Sequence, residues 1–328
     1  PLFKTGLTGN ITLDKCIQVK LTSYRLVSQE LHRTLEQSKV HFESFTEDAE
    51  SHGQLNAFTD LIEQIDGCLR IFRLRGVDTL AGEILQLARD FHRVAVDSRE
   101  QRFSVISCGL IELEQYLEYI DRTESEFPAL LLETINRLRK ENSKEPLPEH
   151  YFYSQNEEFV DAVSAQLQAS VTTSDNIIPP ERLRRLRQMY QIGLADYIRE
   201  TNTSSSLSMM ARSLNRTIDQ GIPNSYALIF SFAVAAVGAV SESQIEPTRE
   251  RKQLFAAIDK QFRNLVDNPQ QTPKMEHCEN LIRGFSYVFL VSGCTAVDIR
   301  SLVEKFSIKP LFFTDQDIRR EREFLGSP

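Results

Sequence analysis

The chain lacks the motifs that usually announce an enzyme. No G-x-x-x-x-G-K-[ST], G-x-S-x-G, H-E-x-x-H or G-x-G-x-x-G occurs in its 328 residues, so nucleotide binding, serine hydrolysis and zinc proteolysis have no motif behind them. There is no C-x-x-C pair: the five cysteines (Cys16, Cys68, Cys108, Cys278, Cys294) are odd in number and scattered, and read as the reduced thiols of a cytoplasmic protein. Positive charge is also short. With 38 Lys and Arg against 46 Asp and Glu, the net charge of −8 leaves no basic excess to displace the counterions of a phosphate backbone, which excludes a nucleic-acid partner. His277 stands beside Cys278, but adjacent residues on a helix point to different faces and no third ligand is in range, so neither a metal nor another cofactor is expected. The most apolar run, Ser225 to Val240, falls short of the ~20 residues needed to cross a bilayer and reads as a buried core helix, with no direct membrane insertion. Opening at Pro1 without Met and closing at GSP fits a piece of a longer protein.

What the chain does have is helical periodicity. Apolar residues recur at spacings of three and four almost throughout, and strict alternation is hard to find, so the expected fold class is all-α. Tyr24, Val27, Leu31, Leu35, Phe42 and Phe45 form the stripe of a first amphipathic helix; Phe58, Ile62, Ile65, Leu69 and Phe72 form that of a second. Gly76 marks a short turn to a third helix, with Leu80, Ile84, Leu87, Ala88 and Phe91 inward, and a fourth carries Val105 to Ile120. Connections this short imply antiparallel neighbours. Pro128 opens a fifth helix.

A polar stretch with two prolines, 141–156, and the pair Pro179 and Pro180 punctuate the middle of the chain. The expected organisation is a first helical bundle over 1–142, a linker over 143–180 with a short helix near Phe159 to Leu167, and a second bundle over 181–328 with a helical tail packed across it. In the second half, RLRRLRQ with Arg182, Arg184, Arg185 and Arg187 reads as a solvated helix face, and Tyr226, Phe230 and Phe232 as core.

One stretch carries more information. EQIDG at 63–67, followed by the Gly76 turn and LAGEI, resembles the helix pair of histidine phosphotransfer (HPt) modules, whose pattern is H-x-L-K-G and then a leucine-rich helix. In that alignment Glu63 stands at the phospho-acceptor histidine, Asp66 at its lysine and Gly67 at its glycine. The resemblance extends over nearly the whole chain. LLLETINRLRKE, TSSSLSMMARSLNRTIDQG, SYALIFSFAVAAVGAV, LFAAIDKQFRNLVDN and FLGSP look like successive blocks of the N-terminal region shared by the ChpA/PilL-type chemotaxis sensor kinases of type IV pili and the FimL-type proteins. The missing acceptor histidine looks more like the FimL type.

Phosphorelay needs an imidazole nucleophile and a nearby cation to offset the arriving phosphoryl charge. Glu63 and Asp66 instead put two carboxylates one helical turn apart. None of the six histidines (His32, His41, His52, His92, His150, His277) is followed by the x-L-K-G frame. A module that has lost the chemistry can keep its docking face, because complementarity and phosphoryl transfer depend on different residues. That face is expected at Glu63, Asp66, Arg70, Arg73 and Glu83, taken as an exposed strip. The resemblance implies a non-catalytic scaffold in the chemotaxis-like signalling that controls type IV pili, twitching motility and cyclic AMP. Its implied partners are an adenylate cyclase, a FimV-type polar organiser and a chemotaxis-like response regulator, at the cell pole. The alternative it leaves is the N-terminal, pseudo-HPt region of the large sensor kinase.

Overall fold

The computed structural model describes residues 21–48, 51–93, 95–168, 179–201, 203–268 and 273–325, and among them no strand occurs. Two compact units emerge: the described residues up to Leu147 together with those from Arg320 onward, and Pro148–Arg319.

In the first unit α1 (Ser28–Glu47) is followed by α2 (His52–Phe72), α3 (Val77–Arg89), α4 (Arg99–Thr123) and α5 (Leu132–Glu141). Neighbouring helices pack α1 on α2, α2 on α3, α3 on α4 and α4 back on α1, which closes a ring, and α5 lies against α3 and α4. The stripes read from the sequence are its interior. Tyr24, Leu31, Leu35, Phe42 and Phe45 are buried, as are Phe58, Ile62, Ile65 and Leu69. Phe42 meets Phe58 at 4.8 Å between ring centroids and Tyr24 meets Phe72 at 6.4 Å, contacts that set α1 and α2 antiparallel. α3 is short and surrounded. Val77, Leu80, Ala81, Ile84, Leu85, Leu87 and Ala88 are all buried, so the helix has almost no solvent face of its own. Gly76 introduces it at φ +89°, where a Cβ would lie 2.7 Å from that of Pro128. Both the left-handed backbone and the close approach require glycine there.

The second unit holds α6 (Glu157–Gln168), α7 (Pro180–Ile198), α8 (Thr203–Ile218), α9 (Asn224–Ser243), α10 (Arg249–Asp267), α11 (Met275–Val291) and α12 (Val297–Lys305). The apolar helix expected over 225–241 runs to 20 residues as α9 and is long and apolar enough to cross a membrane, yet it is this unit's central strut. It packs against α6, α8, α10, α11 and α12, with Tyr226, Phe230 and Phe232 buried as expected. Phe230 stacks on Phe262 of α10 at 4.7 Å. Arg182, Arg184 and Arg185 are exposed, while Arg187 reaches across to α10 and forks onto Asp259 at 2.8 and 3.0 Å.

Two expectations about boundaries change. The division falls after Leu147, and α6 is no spacer: Phe159 and Val163 are buried in the second unit's core, because that side of α9 and α11 would otherwise face water. Of the expected linker, 169–178 lie outside the described residues. The final helix α13 (Asp315–Leu325) does not belong to the second unit alone, since it passes to the first from Arg320. There Tyr119 donates to Glu321 at 3.1 Å, and Arg122 sits 4.6 Å over the Phe324 ring. The charged pattern DQDIRREREFL showed a helix but not these partners.

Inside the second unit one buried guanidinium gathers three segments. Arg251, at the start of α10, donates to Glu149 at 3.0 Å, to the Glu246 carbonyl at 2.8 Å and to Asp315 at 2.7 Å. His150 follows Glu149, and burial, with the charge of Arg283 adding, pushes its imidazole down to about 4. The unfolded chain protonates near pH 6.5 while the folded chain stays neutral, so this group's contribution is complete above that pH and is lost as pH falls towards 4. His150→Gln should therefore flatten the fall in denaturation free energy between pH 6.5 and 5; an unchanged slope contradicts the account.

Close packing of α7 on α8 gives a second test. A Cβ on Gly193 would lie 2.7 Å from the Ser206 carbonyl oxygen, whereas one on exposed Gly238 meets nothing within 4 Å. Gly193→Val should cost about 2–3 kcal/mol in urea unfolding, and Gly238→Ala should gain up to about 1 kcal/mol. Equal effects would mean that the α7–α8 contact is looser than it stands here.

Candidate functional site: the α2–α3 seam

The strip expected at Glu63, Asp66, Arg70, Arg73 and Glu83 resolves into residues in quite different situations. Glu63 lies mid-helix on α2 and is exposed. Its carboxylate is met by Arg89 from the end of α3 at 2.8 Å, the two side chains being 57% and 47% exposed. Asp66, one turn on, is buried on the side towards α3. Both its oxygens accept from the Arg70 Nε, at 2.9 and 2.8 Å. That hydrogen bond, with the charge behind it, holds Arg70 above its ordinary range. The i, i+4 spacing makes the pair possible, and Gly82 on α3 makes room for it. A Cβ at Gly82 would stand 3.2 Å from Arg70 Nη2 and 3.5 Å from Asp66 Oδ1.

Gly67 is exposed, and a side chain there would touch nothing within 4 Å. Its smallness leaves an open floor on the helix surface and is not demanded by packing. Arg73 ends α2 in the left-handed conformation at φ 52°, its N–H turned back to the Arg70 carbonyl, and its side chain is exposed. Glu63, Arg70 and Arg73 therefore face solvent.

Glu83 does not. Its side chain is 8% exposed and accepts from Arg139 at 2.6 Å and from Lys144 at 2.7 Å. The reason is that α3 packs on α2, α4 and α5 at once, so position 83 faces α5 and its outlet, away from the α2 surface. Asp66 likewise is 7% exposed, contrary to the exposed strip read from the sequence. The seam gains instead Arg89, which sequence reasoning missed. A cross-helix ion pair between positions 63 and 89 has no local spacing signal.

Chemically, the seam holds two carboxylates, each with its own arginine, and no imidazole. His32 pairs with Asp121 at 2.9 Å, His41 with Gln54 at 2.7 Å and His277 with Gln261 at 2.9 Å, all on other helices. His92 is exposed in the 3-10 turn Phe91–Arg93 that follows α3. Of two further carboxylates on α4, Glu112 accepts from Thr134 and Glu114 from Lys39. No group of three or more His, Cys, Asp or Glu able to hold a metal occurs among the described residues.

The chain as a whole is similar to known proteins. Residues 176–318 match the family described as the FimL scaffold protein second domain. A curated relative, the scaffold protein FimL of Pseudomonas aeruginosa, is 31% identical over 314 residues, 94% of this chain. Over nearly its whole length the chain is similar to a FimL-type protein. It spans about half of that FimL, 53% of its length. No solved structure matches.

The two acidic positions should behave differently on substitution. Glu83→Ala leaves Arg139 and Lys144 facing a largely buried vacancy and should cost about 2–3 kcal/mol in urea unfolding, near the lower end expected for a broken buried pair. Glu63→Ala removes an exposed pair and should change stability by under about 1 kcal/mol. Similar losses at both positions would mean that Glu63 is structural and not part of a free surface.

Proposed function

We propose that the chain is a non-catalytic scaffold that holds signalling proteins by docking and moves no phosphoryl group, and that its first unit is a degenerate HPt-like module. The observation that carries the reading is the α2–α3 seam. At the position aligned with the acceptor histidine stands Glu63, already neutralised by Arg89; at the position aligned with the lysine stands Asp66, closed off by Arg70. A phosphoryl donor approaching Glu63 would meet a carboxylate and find no nucleophilic nitrogen. The curated relative is itself named a scaffold, which favours this reading over the N-terminal region of a sensor kinase.

The exposed members of the seam, Glu63, Arg70, Arg73 and Arg89 around the open Gly67, are the proposed docking face for a response-regulator receiver. Mixed charge around a small uncharged floor suits a partner with its own alternating charges, and such a rim governs partner choice and encounter rate more than raw affinity. The wider setting, type IV pilus function, twitching motility and cyclic AMP control at the cell pole, with an adenylate cyclase and a FimV-type organiser as further partners, is part of the proposal on the strength of the family resemblance.

The test uses a chemotaxis-like receiver domain from the same cell. Reversing Arg70 and Arg73 together to Glu should weaken receiver binding at least tenfold in calorimetric titration while leaving the thermal transition within a few degrees, because both side chains are exposed. Unaltered affinity in the folded double variant would remove the seam as the docking face.

A further inference from the structure

The outer side of the α1–α2 hairpin carries a second lane, separate from the seam with α3. An open groove of about 510 Å³ lies between the two helices, lined by Gln37, Val40 and His41 of α1 and by Ala57, Asp60 and Leu61 of α2. Val40 is 58% exposed although it is a large apolar side chain. Along α2 the lane continues at helical spacing through Ala57, Leu61, Gln64, Cys68 and Ile71, without a charged residue, to an Ile71 that is 77% exposed. Because α1 and α2 are antiparallel, Leu26, just before α1 and 84% exposed, lies at the same end as Ile71. From Ala57 to Ile71 the lane runs ~21 Å at 1.5 Å per residue, the length of a helix of about 14 residues.

Charge says what could lie there. Asp60 lines the groove, exposed and with no ion-pair partner among the described residues. Arg33, one turn before Gln37 on α1, meets Glu30 at 3.9 Å, and Lys39 is turned to Glu114 of α4 at 2.9 Å. His41 donates or accepts at Nδ1 with Gln54 and lies in the groove wall. The groove thus has an apolar floor and one unpaired carboxylate, Asp60, in its wall. An anionic membrane would be repelled by that carboxylate.

We infer that the α1–α2 lane is a docking site for a basic amphipathic helix of a partner protein, its apolar face seated on Val40, Ala57, Leu61 and Ile71 and a lysine or arginine of it meeting Asp60. This is the helix-in-groove mode, in which anchors at i, i+4, i+7 and i+11 fix the register and the rim charges fix the partner's sign. A scaffold with the seam on one side of α2 and this lane on the other would hold two proteins on a single helix. The lane stands on its own geometry and does not depend on the receiver docking at the seam.

The experiment titrates the full chain with a fluorescein-labelled 14-residue helix of leucine and lysine, leucine at the four anchor positions, followed by anisotropy. An isomorphous leucine and glutamate helix and vesicles of phosphatidylglycerol serve as comparison probes. Saturable binding of the lysine helix that drops at least tenfold in Val40→Arg and in Asp60→Lys supports the lane, while Arg70→Glu with Arg73→Glu leaves it unchanged. Both single variants lie on exposed positions, so an unshifted melting curve shows that they fold. The inference is overturned if the two variants bind the lysine helix as the parent does, if the glutamate helix binds as tightly, or if the vesicles capture the chain at the same concentrations.

Discussion

Two ion pairs on the second helix decide what this surface can do. Asp66 directs both oxygens at Arg70, over a glycine on the facing helix that leaves the guanidinium just enough room, and Glu63 reaches across to Arg89. Once those pairs are made, each of the two carboxylates faces an arginine already engaged, and no imidazole stands at the mid-helix position. What remains is a shallow relief of charge around an open Gly67, carried on a helix whose other side is fixed by Phe58, Ile62, Ile65 and Leu69 in the core.

The rigidity of that surface comes from α3. A helix of 13 residues buried on nearly all sides cannot shift without disturbing α2, α4 and α5 together, so the partners it offers to α2 are held in place. Glu83 contributes to the same end from the hidden side, binding Arg139 and Lys144 and so pinning the chain after α5. A residue first expected to greet a partner turns out to secure the platform behind it. The second unit is organised differently, around one apolar helix, α9, that touches most of its neighbours, and a buried Arg251 that ties down segments far apart in sequence.

Much of this was legible before any coordinates. The stripes at three and four placed the helices of both halves to within a few residues, because burial on a helix must recur at its period. The i, i+4 pair of Asp66 and Arg70 could be anticipated from spacing alone. Position 83 could not: in an amphipathic pattern a glutamate reads as solvent, and only the packing of α3 on three helices at once makes it interior. The pairing of Glu63 with Arg89, the gathering of Glu149 and Asp315 on Arg251, and the crossing of the last helix from one unit to the other all join residues far apart in sequence. Local periodicity is silent about such contacts. α6 is legible as a helix but not as core, since a short helix between proline-marked stretches looks like a spacer until its Phe159 and Val163 are seen filling a core.

The central proposal is that the first unit keeps the outline of a relay module without its chemistry. The most direct measurement is incubation of the chain with a receiver domain carrying radiolabelled phosphate, followed by separation under neutral conditions that preserve phosphohistidine. The account predicts that all label stays on the receiver or appears as inorganic phosphate at the receiver's own rate. Label transferred to the chain, on any of its six histidines, would contradict it.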